Sequence, residues 1–155
     1  MGSPDYELLL DRELIVVRWR LPNPGAVGNL HFELIDHAER IGLRPVFAII
    51  IGADCPPPDH TTRDALLRGY DRFHGYSRDV RLVVLGDTIR QRVMRSMVTA
   101  MTLAAGLRGK AFHVDRNLSE LLATVAAELG RDPATTLAQL VDAGLIEPDE
   151  IPELG

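Results

Sequence analysis

The sequence predicts an α/β domain: a mixed sheet with an opening β-hairpin, then alternating helices and mostly parallel strands. Three observations carry this expectation. Two β-rich runs open the chain, separated by three polar residues. A six-residue run with no polar member follows the first helical stretch. Beyond it, apolar residues at helical spacing alternate with short continuous apolar runs as far as residue 130. Strands joined through helices pair in parallel, because a helical crossover carries the chain back to the sheet end it left.

The hairpin is read from Tyr6 to Leu10 and Leu14 to Arg20, with Asp11-Arg12-Glu13 between them. Val17 and Trp19 alternate with Arg18 and Arg20, which predicts one wetter face for the second strand. Residues 21–25 are a Pro/Asn/Gly connector. A helix over 26–41 follows, with Val27, Leu30, Leu34, Ala38 and Ile41 at helical spacing and Gly42 placed to end it. Val46 to Ile51 is wholly apolar and reads as a central strand buried on both faces. It leads into a loop, residues 52–60, that is stiffened by Pro56, Pro57 and Pro58.

A second helix is expected near 61–73 and a buried strand over 80–85. Thr88-Ile89-Arg90-Gln91 reads as a capping box for a third helix. Its buried stripe is assigned to Ile89, Val93, Met97, Ala100 and Ala104. Residues 111–114 form a short strand, and Asn117 opens a fourth helix carrying Leu118, Leu121, Leu122, Val125 and Leu129. Asp132-Pro133 starts a short fifth helix ending near Gly144. The acidic, Pro-containing tail from 147 is expected to fray. The whole chain, 1–155, reads as one domain, with residues 131–155 as a helical extension and tail.

Bulk properties narrow the function classes. The chain has 155 residues, 46% of them hydrophobic and 25% charged, which is globular composition long enough to bury a core without disulfides. The formal net charge of −5 argues against a nucleic-acid-coating surface, leaving Arg90, Arg92 and Arg95 as a local basic patch. One cysteine, Cys55, excludes an internal disulfide and a cysteine-based zinc site. The N-terminus lacks a secretory pattern and no apolar run approaches bilayer length, so a cytoplasmic protein not integral to a membrane is expected.

Three stretches resemble the STAS family, in particular its SpoIIAA-like (STAS/SEC14) branch. They are residues 7–19 (ELLLDRELIVVRW), residues 80–87 (VRLVVLGD) with 92–97 (RVMRSM), and residues 111–122 (AFHVDRNLSELL). The resemblance spans roughly residues 5–130 by pattern more than identity. It implies a regulatory or protein-interaction module without catalytic activity or cofactor. In the family's anti-sigma-factor antagonists, the loop after the central strand ends in Asp-Ser-Ser-Gly, and a serine there is phosphorylated. The matching stretch here is Asp59-His60-Thr61-Thr62-Arg63-Asp64, which has threonines in place of the serines and lacks the glycine. The resemblance thus points to a protein partner bound by residues 54–67, gated at Thr61 or Thr62.

The candidate partner-binding or phospho-regulatory site that the resemblance implies comprises Asp54, Cys55, Asp59, His60, Thr61, Thr62 and Arg63. Thr61 and Thr62 sit at a helix start, where the ordinary role of a hydroxyl is capping. Cys55 and His60 could act as thiolate and base, although three prolines separate them and a free cysteine is more often a small buried hydrophobe. Asp54, Asp59 and Asp64 read as loop and cap carboxylates facing water. His31 is placed with Asp36 and Glu39 on a solvated helix face, and no histidine spacing matches a metal motif. Met94, Met97 and Met101 line one helix, as core or as an adaptable surface for a small ligand or lipid. An exposed Trp19 face, or an apolar strand at a sheet edge, would allow a homodimer.

Overall fold

The computed structural model describes residues 5–104, 106 and 112–152. The strands are β1 (Tyr6–Asp11), β2 (Leu14–Trp19), β3 (Val46–Ile51), β4 (Asp79–Val84) and β5 (Phe112–Asp115). The helices are α1 (Pro24–Ile41), α2 (His60–Phe73), α3 (Ile89–Ala104), α4 (Leu118–Leu129) and α5 (Pro133–Asp142). The strands lie side by side in chain order; β1 and β2 are antiparallel and every later pairing is parallel. This is the mixed α/β sheet with an opening hairpin that the sequence predicts. Ala111, expected to begin the last strand, lies outside the described residues.

Local chemistry sets the ends of the elements. The Asn23 side chain accepts the Ala26 N–H, Pro24 needs no N–H partner in the first turn, and Gly42 closes α1 in the left-handed region at φ 66°. Asn117 caps α4 in the same way through the Glu120 N–H.

The sheet carries a core on each face. Ile15, Val17, Trp19, Phe47 and Leu82 point to one face and meet α1, α2 and α3 through residues such as Leu30, Leu34, Phe73 and Met94. Leu14, Val16, Ala48, Ile50 and Val83 point to the other face and meet Leu121, Leu122, Val125, Leu140, Leu145 and Ile146. β3 lies at the centre and is apolar on both faces, as a strand covered from both sides requires.

Four expectations are corrected. The β2 face carrying Arg18 is not wet: Arg18 is 2% exposed, because residues 145–150 return across the sheet and cover it. For the same reason the tail does not fray at 147. Pro148–Glu150 forms a turn of 3-10 helix, and Glu150 is held by Arg18. On α3 the buried residues are Gln91, Met94, Val98 and Thr102, while Ile89 and Val93 point outward. The dimer route through an exposed Trp19 face also falls, because Trp19 is buried edge-to-face on Tyr6.

Candidate functional site

The β3–α2 loop crosses the C-terminal end of the sheet, where open α/β sheets form crevices. The Cys55 N–H donates to the Gly52 carbonyl at 3.2 Å, which turns the chain sharply as it leaves β3. Asp54 does not face water alone. Its carboxylate accepts from Arg18 Nη2 at 3.0 Å and Arg20 Nη1 at 2.7 Å. Burial alone would raise its pKa, but these two guanidiniums hold it below the usual carboxylate range.

Cys55 is buried, and its thiol approaches the Pro56 carbonyl at 3.5 Å. Burial, reinforced by the Asp54 charge, pushes the thiol pKa up to about 11. A thiol in that state is a poor nucleophile near neutral pH. His60 is exposed and turned to Asp64 at 3.4 Å, so the structure does not assemble a Cys55–His60 pair.

Asp59, not a threonine, caps α2: its carboxylate accepts the Thr62 N–H at 2.8 Å. Thr62 is 2% exposed, whereas Thr61 stands open on the first turn. Arg63 is half-buried, and its Nε has no partner among the described residues. At α3, the Gln91 N–H reaches Thr88 Oγ1 at 3.5 Å, but the Gln91 side chain does not answer it; its buried Oε1 has no partner among the described residues. The expected capping box is therefore one-sided.

A further concavity was not anticipated from the sequence. It lies between the sheet and helices α1–α3 and has a volume of about 100 Å³. Phe47, Ile49 and Leu82 form its floor, Leu66, Tyr70 and Phe73 one wall, and Met94, Met97, Val98 and Met101 the other. Cys55 and Pro58 close the end nearest the loop. The lining is almost entirely apolar, so a water inside would find few partners.

His31 and Thr102 are the polar exceptions. His31 is buried rather than solvated, correcting its expected placement with Asp36 and Glu39. Its ring fits because residue 69 is glycine; a Cβ there would lie 2.4 Å from His31 Cε1. His31 Nδ1 donates to the Val27 carbonyl at 2.7 Å, which leaves Nε2 as an acceptor in the neutral ring. Burial lowers its pKa, so the wall stays uncharged at neutral pH. Thr102 directs its hydroxyl to the Thr99 carbonyl at 2.9 Å.

A second polar group of residues also escaped the sequence reading. Arg81 donates two parallel bonds to Asp115, at 2.9 and 2.8 Å, and one to Asp79 at 3.1 Å; His113 approaches Asp79 at 3.3 Å. Each carboxylate already has a cation, and Asp79 opens β4 at the sheet end opposite the β3–α2 loop. This arrangement ties β4 to β5. Among the described residues, no three His, Cys, Asp or Glu side chains gather as a metal site, and no helix is long and apolar enough to cross a membrane.

Comparison with known protein families and with curated proteins returns no match.

Proposed function

We propose that the chain is a non-enzymatic binding module that holds a small apolar ligand in the cavity under α1–α3. The cavity carries this reading. It is preformed and methionine-walled, and the neutral His31 is among the few polar residues on its lining. Methionine side chains adapt to irregular shapes, so Met94, Met97 and Met101 can repack around an occupant. An engineered apolar cavity of roughly 150 Å³ accommodates benzene, which sets the scale of ligand: uncharged, about that size, or a short alkyl end.

Thermal unfolding and methyl NMR with benzene, indole and 1-hexanol test this. Each bound probe raises the Tm and shifts the methyl resonances of Met97 and Met101. Val98→Ile and Met101→Phe fill the space and abolish both responses while keeping the fold. Flat responses to all three probes up to their solubility limits would refute the reading.

A second reading keeps the STAS-like role: a cytoplasmic regulatory domain bound to a protein partner through residues 54–67. The exposed Thr61 hydroxyl favours it. A phosphate there would lie in the first turn of α2, where free N–H groups and the helix dipole stabilise negative charge. Thr62 is closed to modification in the folded chain. Phosphosite mapping of protein from its host should find Thr61 alone, and Thr61→Asp should change partner recovery in pull-downs. Modification confined to Thr62, or none together with no recovered partner, removes this reading.

A further inference from the structure

We propose that the outer face of α3 docks on an anionic lipid bilayer. Ile89, Val93 and Leu103 are 80%, 63% and 50% exposed, an uncommon concentration of large apolar side chains on one helix of this protein. Steps of four, three, four and three residues lead from Ile89 through Val93, Ser96 and Ala100 to Leu103. These positions therefore form one straight ridge about 21 Å long. Gln91, Met94, Val98 and Thr102 turn the opposite side into the protein. The helix is amphipathic in reverse of the usual sense: two of its four buried side chains are polar, and all but Ser96 of the five outer ridge positions are apolar.

Charge selects the occupant. The chain has a net charge of −5, yet α3 carries Arg90, Arg92 and Arg95 and no Asp or Glu. Helical geometry places Arg90 on one flank of the ridge and Arg92 on the other, and both are exposed. Arg92 meets Asp87 at 3.2 Å in an exposed pair, which holds it only weakly. Arg95 is half-buried and fixed to the Val84 and Gly86 carbonyls, each at 2.9 Å, adding positive potential beside the ridge.

An apolar ridge between arginines is the pattern of a helix lying in a bilayer interface. A second copy of the chain fits less well, because two α3 ridges would meet with arginines on both sides and no carboxylate on either helix. Nucleic acid has no use for the exposed Ile89 and Val93. The apolar surface also continues inward, since Met97, on the shoulder of the ridge, lines the cavity. The docking proposal stands whether or not the cavity takes a ligand.

The test is flotation of the full chain with phosphatidylcholine vesicles, with and without phosphatidylserine. Binding is expected only with phosphatidylserine, and it should be released at high salt. Arg90→Glu should weaken it about tenfold or more, since each basic side chain near a charged leaflet contributes roughly a fivefold factor and the substitution changes the charge by two units. Ile89→Ser with Val93→Ser should abolish it without lowering the Tm, as both positions are exposed. Phe32→Ser, on the outside of α1, should leave it intact. No flotation, equal flotation on phosphatidylcholine alone, or flotation unaffected by the α3 variants would overturn the proposal. So would a dimer in light scattering that disappears with Ile89→Ser, which would give the ridge to a second copy.

Discussion

Removing the Glu150 carboxylate should destabilise the domain more than its place near the end of the chain suggests. Arg18 lies under the returning segment, with Nη1 on the Leu145 carbonyl at 3.1 Å and Nη2 on Asp54 and Glu150, both at 3.0 Å. Glu150 engages both Nη atoms, so it supplies a bidentate partner to a guanidinium that water does not reach. Stripping one partner from a buried ion pair costs roughly 3–5 kcal/mol. Here Asp54 stays behind as a second anion, and the vacated position lies near solvent, so Glu150→Ala should cost about 2–3 kcal/mol.

For a chain of this length that is a fall in Tm of roughly 5–10 °C. Urea unfolding should show a lower midpoint at unchanged m-value. Arg18→Met should cost less, because it leaves Glu150, 15% exposed, able to rehydrate. In the double variant the penalty of Glu150→Ala should largely vanish. A loss below about 0.5 kcal/mol for Glu150→Ala, or additive single effects, would refute the argument.

Three further outcomes follow from the α1–α3 face. Gly69→Ala should cost roughly 1–3 kcal/mol by urea unfolding, because its Cβ would enter the buried His31 ring. Burial holds His31 below its ordinary pKa of 6.5, so below that pH the unfolded chain binds a proton that the folded one refuses. Stability should therefore fall as the pH drops through 6.5, until it reaches the lowered folded value; His31→Gln should flatten that slope in urea titrations from pH 7.5 to 5. With its pKa raised to about 11, Cys55 should react with a disulfide reagent at pH 8 far more slowly than glutathione does, and normally once urea unfolds the chain.

Periodicity made much of the fold legible. The short, wholly apolar stretch 46–51 reads as a strand with both faces covered, and the hairpin shows in two β-rich runs around a polar turn. What covers a given face was not legible. Arg18 reads as a solvent position because its neighbours alternate, and its cover arrives 127 residues later in sequence, from Leu145. The ridge of α3 fails differently: an apolar stripe reports an amphipathic helix but not which side faces in. Ile89 and Val93 form the more regular stripe, and the methionines, on the inner side and its shoulder, were the contrary signal. His31 was readable in retrospect, since Val27, His31, Leu34 and Ala38 step by four, three and four along one face. The cavity has no sequence signature, because it arises where three helices fail to fill the space above the sheet.

The loop leaving β3 joins the two faces, and its construction bears on whether they act together. Asp54 reaches the Arg18 and Arg20 guanidiniums that hold the returning tail, while Cys55, the next residue, lines the cavity under α1–α3. Adjacent residues thus serve opposite sides of the sheet. A ligand in the cavity could influence the tail only by binding more tightly to one of two loop positions. The loop offers little freedom to move between two. The Cys55 N–H is tied to Gly52, three prolines follow, and Asp59 fixes the far end by capping α2. A Cβ on Gly52 would lie 2.1 Å from Arg18 Nη2, so the turn is also packed directly against the ion pair. A segment restrained at both ends and along its length transmits no switch. The tail contact therefore acts as a structural lock on one face, while the cavity and the α3 ridge are free to bind on the other.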